Sequence, residues 1–431
     1  MIDVNPDYAP TPQPELDSKY DVIVIGGGPA GATTGTLVAE RGYKTLVLDR
    51  SPFPRFHVGE SLIPETYWSL KRLGLVEQLR ESAFPKKFSV QFVSDGHKVS
   101  APFYFHDHKD CESSQSWQVV RGEFDKMLLD NAAAKGATTH TNAQVTEVLF
   151  DGDTAVGVKA LVGEDRVETT IHCRVVVDAT GQSSFIANRL KLKKQDELLR
   201  KATVWTYWKN AQRDPGIDEG CTIILQTAGK HSWFWYIPLP DNIVSVGCTG
   251  SLPHMFGEKL SAEEVYQREL SRCPALQERL ANAERCEDYF TTKDFSYKSS
   301  EAAGNGWVLT GDAFGFIDPV YSSGVYLAMK SGEFAADAIH DAFEANQLTG
   351  EKLGAWKEHY NQGVENFRKL VYAFYTPGFS FGGFLKEHPQ FQSNLVDILI
   401  GDVFKPGVSD MFDVMGEVVP PSDYEVAASS C

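Results

Sequence analysis

The stretch from Tyr20 to Asp49 constrains the fold more than any other part of the chain. A short β-branched run leads into Gly26-x-Gly28-x-x-Gly31, and a helical pattern and a second apolar run follow. In such a strand–turn–helix unit the three glycines permit a tight turn, close approach of a pyrophosphate, and packing of the helix on the strand. The helix N-terminus attracts the pyrophosphate, and Asp49 is placed to bind a ribose hydroxyl. The stretch therefore predicts a parallel α/β unit that binds a dinucleotide, either FAD or a nicotinamide cofactor.

Composition narrows the range of partners and compartments. The 431 residues allow two or three sub-domains, and the net charge of −17 argues against nucleic acid, whose phosphates would be repelled. Seven scattered cysteines show no paired spacing, which favours a reducing cytoplasm. Residues 1–18 are acidic and proline-rich, so we expect a disordered tail and not a signal peptide. No segment approaches the ~20 apolar residues of a membrane-spanning helix, and we predict neither membrane insertion nor a metal site.

The later elements alternate between two kinds of structure. A hairpin at 144–161 and a strand at 173–177 return to the first unit, and the strand leads into Asp178-Ala179-Thr180-Gly181. Residues 203–250 then form short strands with turns between them, as in an antiparallel sheet. The strand 307–310 leads into Gly311-Asp312 and a long helix at 325–343, and the chain from 353 to 415 has helical patterns. We expect an inserted second domain.

Two lysines stand next to each other in a segment that alternates like one strand, residues 84–92. Alternation places Lys86 on the face of Phe84 and Phe88, and Lys87 on the polar face with Ser89. That polar face could contact solvent or a wet tunnel. The pattern alone favours a solvated Lys87.

An aromatic strand at 232–238 has two different faces. Alternation puts Trp233, Trp235 and Ile237 on one face and Phe234 and Tyr236 on the other. Alone, this pattern favours a core strand. The helical region contains a second aromatic group, made up of Tyr372, Phe374, Tyr375, Phe379, Phe381 and Phe384. This group could be part of the core, which is the favoured interpretation, or it could form a lid over an aromatic substrate.

Together these motifs resemble a known group of flavoenzymes. The set Gly26, Gly28, Gly31, Arg121, Asp178, Gly181, Gly311 and Asp312 resembles the FAD-binding pattern of the p-hydroxybenzoate hydroxylase superfamily. Three further features resemble the flavin-dependent halogenases: the WxWxIP motif Trp233, Trp235, Ile237 and Pro238, the Gly59-Glu60-Ser61 loop, and the lysine pair in 84–88. The segments 84–88, 318–324 and 397–403 look most like halogenases of pyrroles and phenols, some of which act on carrier-tethered substrates.

The resemblance implies a mechanism and a set of partners. Reduced FAD, oxygen and chloride or bromide would give hypohalous acid, which would pass through a tunnel to Lys87. That lysine would receive the halogen as a haloamine or orient the acid by hydrogen bonding. The halide would lie on backbone N–H groups near Ser323 and Gly324. WxWxIP would separate the flavin from the organic substrate. Because no second dinucleotide fingerprint occurs, FADH2 would come from a separate flavin reductase.

Two departures from the pattern bear on the substrate. Halogenases of free tryptophan carry a glutamate just before the halide-binding pair, and this chain has Tyr321 there. A phenol or pyrrole is activated by its own heteroatom and needs less help from a base, so we expect such a substrate, free or on an acyl or peptidyl carrier protein. Ser89 replaces a glycine of the nearest subgroup and could narrow the tunnel.

The expected fold is therefore α/β with an α+β character. A Rossmann-like FAD-binding domain would comprise 19–200 and 300–345, an antiparallel-sheet substrate domain 201–299, and a helical region covering the substrate site 346–431. Two other functions stay open. A flavin-dependent aromatic hydroxylase of the same superfamily would share the FAD residues without needing Lys87 or WxWxIP, and a non-catalytic flavoprotein would fit so complete a site poorly.

Overall fold

A computed structural model describes residues 13–293 and 295–418 of the protein. The first twelve residues of the predicted tail and the last thirteen of the helical region lie outside the described residues. Among the helices of the described part, none combines the length and the hydropathy that a bilayer crossing needs.

Most strands are short, and they belong to five sheets of the described residues. They are β1 (Val22–Ile25), β2 (Thr45–Leu48), β3 (Lys86–Lys87), β4 (Ser89–Val93), β5 (Phe103–Tyr104), β6 (Ser116–Trp117), β7 (Thr138–His140), β8 (Ala143–Asp151), β9 (Thr154–Val162), β10 (Val167–His172), β11 (Val175–Asp178), β12 (Lys193–Gln195), β13 (Lys201–Lys209), β14 (Thr222–Gln226), β15 (Ser232–Pro238), β16 (Ile243–Ser251), β17 (Glu284–Arg285), β18 (Phe290–Lys293), β19 (Tyr297–Ser299), β20 (Ala303–Gly304), β21 (Trp307–Leu309) and β22 (Gly315–Phe316).

The helices range from one turn to six turns. They are α1 (Pro29–Glu40), α2 (Thr66–Leu73), α3 (Val76–Glu81), α4 (Phe105–His108), α5 (Arg121–Ala134), α6 (Phe185–Arg189), α7 (Leu252–Phe256), α8 (Ala262–Leu270), α9 (Pro274–Leu280), α10 (Gly324–Glu344), α11 (Gly350–Leu353), α12 (Lys357–Tyr375), α13 (Phe381–Glu387), α14 (Gln392–Ile400) and α15 (Asp410–Met415).

A six-stranded sheet in the order β20-β21-β11-β1-β2-β7 forms the centre of the first domain. β1 is parallel to β2 and β11, and its four residues are fully buried, as expected for a sheet covered on both faces. α1 packs against α10 and α5. The approach of α1 to α10 requires Gly332, because a Cβ there would lie 2.7 Å from the carbonyl oxygen of Ala30. The Rossmann-like α/β fold predicted from the sequence is confirmed.

The second sheet has eight strands, ordered β17-β13-β16-β15-β14-β4-β5, with β18 also on β13. β15 and its neighbours pair antiparallel, as predicted, but β4 joins β14 in parallel. β4 and β5 belong to the chain before residue 200, so the two sheets share sequence across the predicted boundary at 200/201. The alternation predicted for β15 is confirmed: Trp233, Trp235 and Ile237 belong to the main core, and Phe234 and Tyr236 to a separate core behind the sheet.

The prediction of one strand over 84–92 is wrong. Lys86 and Lys87 form β3, which pairs with β6 in a two-stranded sheet, whereas Ser89 begins β4 in the large sheet. The two short strands have different partners, and Phe88 lies between them. Gly74 ends α2 in the left-handed conformation at φ +77°, and α3 begins two residues later.

Candidate active site

A cavity of about 460 Å³ lies where β1, β2 and β11 end, at the carboxyl edge of the parallel sheet. This is where open α/β sheets bind their ligands. Its lining includes many of the predicted residues: Gly26, Gly28, Asp49, Arg121, Gly181, Asp312, Gly324, Trp233, Trp235 and Ile237. Among the described residues, Gly31, Asp178, Gly311, Ser323, Pro238 and Lys87 are left outside the lining.

The glycine turn has the geometry that a pyrophosphate needs. Gly26 adopts φ +106°, and a Cβ at Gly31 would lie 1.9 Å from the carbonyl oxygen of Gly26, so neither position admits a side chain. Gly28 precedes α1 without a side-chain cap. The first N–H groups of a helix have no partner within it, and here they border the cavity. The observed turn fits a dinucleotide phosphate.

Asp49 is buried at the end of β2, on the cavity wall. Its carboxylate accepts hydrogen bonds from the backbone N–H of Gly27 at 2.8 Å and of Ser51 at 2.9 Å. Each carboxylate oxygen has about two acceptor positions, so Asp49 can hold the glycine turn and still accept a ribose hydroxyl. The ribose contact stays a prediction.

Two arginines place positive charge on the cavity. Arg121 begins α5 and donates to both oxygens of Asp125 and to the carbonyls of Val58 and Gly59. Burial raises the pKa of Asp125, but the guanidinium groups of Arg121 and Arg55 outweigh it and hold that pKa below its usual range. Arg55 donates to Asp125 at 3.1 Å, and its guanidinium lies 3.2 Å from where a Cβ of Gly28 would stand. Sequence reasoning missed Arg55, although it lies in the loop after Asp49.

Asp178 and Gly311 lie outside the cavity lining and hold neighbouring parts of it in place. The Asp178 carboxylate accepts from the N–H and hydroxyl of Thr180 and from the N–H of Ile186, so it holds the turn that carries Gly181. The N–H of Gly311 donates to Ser331, which ties α10 to the end of β21. Asp312 does line the cavity. Burial raises its pKa to about 7, although the positive charges of Arg121 and Lys193 act to lower it.

The predicted halide residues stand at the start of the 21-residue helix α10. Gly324 is its first residue and borders the cavity, and Ser323 precedes it and is buried. The unpaired N–H groups and the positive end of the helix dipole favour an anion here. Tyr321, which the resemblance aligns with the tryptophan halogenases' glutamate, is buried and donates to the carbonyl of Leu370 at 3.4 Å.

Lys87 is buried, which contradicts the favoured expectation of a solvated lysine, whereas Lys86 is exposed. Its Nζ donates to Ser61 Oγ at 2.9 Å and to the carbonyl of Leu62 at 3.1 Å, and it stands 5.7 Å from the centre of the Phe105 ring. Burial lowers the pKa of Lys87 to about 8, and the thiol of Cys221 offsets this only in part. Because Ser61 lines the cavity, one hydroxyl separates the cavity from the amine.

Trp233 connects the cavity to the C-terminal helices through a contact that the sequence pattern does not reveal. Its Nε1 donates to the hydroxyl of Tyr375 at 2.8 Å, and that hydroxyl donates to Asp318 at 2.9 Å. Burial raises the pKa of Asp318 to about 6, while Tyr375 and Lys201 act to lower it. Tyr375 stands in the predicted aromatic group, whose members are half-buried against the main core.

Comparison with known proteins agrees with this geometry. The FAD binding domain family matches residues 19–230. The tryptophan 2-halogenase of Chondromyces crocatus is 32% identical over 84% of this chain and 69% of its own length. The chain belongs to the flavin-dependent halogenases.

Two further relatives match this halogenase over almost its full length. The 1H-pyrrole-2-carbonyl-[peptidyl-carrier protein] chlorinase of Pseudomonas fluorescens is 29% identical over 94% of both chains. The structure of the flavin-dependent brominase Bmp2 superposes with a TM-score of 0.83 at 28% identity, covering 93% of this chain and 98% of the other. The halogenase is thus a flavoprotein oxidoreductase that uses FAD and a halide, as the sequence predicted.

Proposed function

We propose that this halogenase acts on an electron-rich phenol or pyrrole, and that Lys87 delivers the halogen. The observation that carries the proposal is the position of Lys87. A buried amine lies one hydroxyl away from the flavin cavity, while the adjacent Lys86 is exposed. A lysine without a chemical role would not be expected to stand there, because burying an ammonium group costs several kcal/mol.

The state of Lys87 suits that role. With a pKa of about 8, about a tenth of the side chain is the neutral amine at pH 7, far more than for an exposed lysine. The neutral amine has a lone pair that can accept a halogen from hypohalous acid. The Ser61 and Leu62 contacts hold Nζ toward the cavity side.

The other half of the reaction takes place in the cavity. Bound there, reduced FAD would supply the two electrons for activation of oxygen. We assign the pyrophosphate to the turn Gly26–Gly31 with Arg55, the ribose to Asp49, and the halide to the N-terminus of α10 at Ser323 and Gly324. Trp233, Trp235 and Ile237 on the cavity wall would keep the organic substrate away from the flavin.

The substrate would lie on the side of Lys87 away from the cavity. An apolar cluster lies next to Lys87, and in it Phe105 packs with Val396 and Ile400 of α14 and with Val90 and Phe103. Such a surface suits a flat arene. Tyr321 offers no carboxylate base, which supports a ring activated by its own oxygen or nitrogen. A tryptophan halogenase is among the relatives, so this choice of substrate depends on Tyr321 and not on overall identity.

Two partners belong to the proposal. A separate flavin reductase would supply FADH2, since the sequence contains one dinucleotide fingerprint. A carrier protein bearing the acyl substrate is supported by the Pseudomonas chlorinase, whose name states such a substrate. In this scheme α14 and the neighbouring C-terminal helices cover the arene.

The two adjacent lysines provide a matched experiment. With reductase, NADH, FAD, bromide and an activated phenol, Lys87→Ala should lose halogenated product, while a scavenger outside the protein still traps hypobromous acid. Lys86→Ala should retain most activity, because its side chain is exposed. Mass spectrometry of the product distinguishes gain of bromine from gain of oxygen. Full activity of Lys87→Ala, or an oxygenated product from the wild type, would overturn the proposal.

A further inference from the structure

A buried chain of hydrogen bonds leads from the wall of the cavity to Lys87. Gln118 Nε2 donates to Thr222 Oγ1 at 2.7 Å, Thr222 and Ser61 share a hydrogen between their hydroxyls at 2.9 Å, and Lys87 Nζ lies 2.9 Å from Ser61 Oγ. All four side chains are buried, and Ser61 and Thr222 both line the cavity.

The direction of each hydrogen follows from the ends of the chain. The Gln118 amide cannot be reversed, because its Nε2 also donates to the carbonyl of Gly220 at 2.8 Å, where an amide oxygen would be repelled. Thr222 accepts from Gln118, and Ser61 Oγ is the acceptor that the described residues offer to its own hydrogen, so we assign that hydrogen to Ser61. At the other end, a lysine ammonium can only donate, so Ser61 accepts from Lys87 as well.

Ser61 consequently has one hydrogen left. Both of its lone pairs are occupied, by Thr222 and by Lys87, and its own O–H is directed to neither. Since Ser61 lines the cavity, that hydrogen is available to a molecule arriving from it. A hydroxyl that accepts a proton on one side and can release one on the other is a proton relay.

We propose that Ser61 is a catalytic residue that passes a proton from the ammonium of Lys87 to the oxygen of hypohalous acid while the halogen moves to Nζ. The N–H bond and the O–halogen bond break, and an N–halogen bond and a new O–H bond form. Lysine ammonium and hypohalous acid thus give N-halolysinium and water, with charge conserved. The arene then takes the halogen, and its ring proton returns to Lys87. This step rests on the proposed delivery by Lys87.

The surrounding charges are compatible with this relay. Cys221 is an ionisable neighbour of Lys87, and burial raises the pKa of its thiol to about 11, so it carries no charge in the pH range of the relay. Glu60 precedes Ser61, but its carboxyl accepts from Tyr207 and from the N–H of Gly59, and burial raises its pKa. Asp218 accepts hydrogen bonds from Ser89 and Tyr104. None of these carboxyls is hydrogen-bonded to Nζ in the described residues.

The relay is tested by measuring, for the wild type and for Ser61→Ala, the fraction of hypobromous acid that becomes halogenated product. An external scavenger traps the remaining acid. Without the relay only the neutral amine can react. The product fraction of Ser61→Ala should then rise with pH as Lys87, with a pKa of about 8, loses its proton. At pH 6.5 this product fraction should be about thirtyfold lower than at high pH, where the amine is fully neutral. The wild-type fraction should change less than twofold over the same range. Lys86→Ala, at the exposed neighbouring lysine, should keep the wild-type pH profile.

A flavin-free measurement separates a lost relay from a displaced lysine. Isocyanic acid from cyanate is a small neutral electrophile that needs the free amine but no relay, and peptide mass spectrometry measures the carbamylation of Lys87. Ser61→Ala should be carbamylated within about threefold of the wild type. A product fraction that is unchanged, or lowered equally at every pH, would overturn the relay even if Lys87→Ala is inactive. Product formation by Lys87→Ala would instead overturn the delivery by Lys87.

Discussion

Tyr375→Phe is the most informative perturbation outside the reaction itself. The hydroxyl accepts from Trp233 Nε1 at 2.8 Å and donates to one oxygen of Asp318 at 2.9 Å, so its removal leaves that N–H and that oxygen without their hydrogen-bond partner. Asp318 also accepts from the N–H of Val320, in the turn that leads to Ser323 and Gly324. The substitution therefore affects both WxWxIP and the approach to the proposed halide site.

The expected loss of stability follows from the unpaired Trp233 N–H and the unpaired Asp318 oxygen. A buried donor or acceptor left unpaired costs about 1–3 kcal/mol, and more when charged. With the Asp318 carboxylate ionised, we expect a loss of about 3–5 kcal/mol in the free energy of unfolding, a large part of the ~5–15 kcal/mol typical of a domain. Tyr321→Phe is the matched control: its hydroxyl makes a single bond of 3.4 Å, and we expect a loss below about 1 kcal/mol.

The loss should depend on pH with a definite sign. Burial raises the pKa of Asp318 to about 6, above its value of about 3.9 in the unfolded chain, so its proton stabilises the fold. That contribution is complete below pH ~4 and disappears as the pH rises through ~6. The Tyr375 hydrogen bond lowers this pKa, and without it the buried charge becomes less favourable. Tyr375→Phe should therefore be more destabilising at pH 8 than at pH 5, by about 1–2 kcal/mol.

Urea unfolding of the two variants and the wild type, followed by tryptophan fluorescence and circular dichroism at pH 5 and pH 8, measures these differences. The slope of the free energy against urea must be the same in all three proteins for the comparison to hold. Equal losses for Tyr375→Phe and Tyr321→Phe, or a loss for Tyr375→Phe that is independent of pH, would refute this reasoning.

Two other sites give direct tests. Gly28→Val should abolish FAD binding in a folded protein, because Gly28 has φ −71°, which valine can adopt, while the added side chain enters the cavity toward Arg55; retention of flavin in the purified variant would contradict the assignment. Gly324→Pro should raise the bromide concentration needed for half-maximal activity at least tenfold, because it removes one backbone donor at the first helical position, where proline is tolerated. Gly324→Ala is the control, because it keeps the N–H and its Cβ would lie at an ordinary contact distance of 3.6 Å from Phe316. This variant should have the bromide dependence of the wild type, and equal bromide dependence of both variants would refute the halide site at Gly324.

Sequence alone was sufficient for the features that depend on local sterics. The spacing of Gly26 and Gly31 permits few structures, because a side chain at either position would collide with backbone. The two faces of β15 were also predicted correctly, since alternation within one continuous strand is a property of the strand itself. The glycine turn was enough for a dinucleotide-binding α/β fold, and the wider set of motifs, through its resemblance to a known family, indicated the cofactor and the family.

Tertiary structure decided where the reactive groups lie. Lys87 is buried because β3 pairs with β6, away from the large sheet, and the local pattern of 84–92 contains no information about that partner. Trp233 meets Tyr375 across 142 residues, and Arg55 reaches Asp125 across 70. The relay through Ser61 and Thr222 likewise joins separate segments of chain. Burial and hydrogen bonding between distant segments depend on how the chain packs in space. The periodicity of residues along one strand or helix contains no information about that packing.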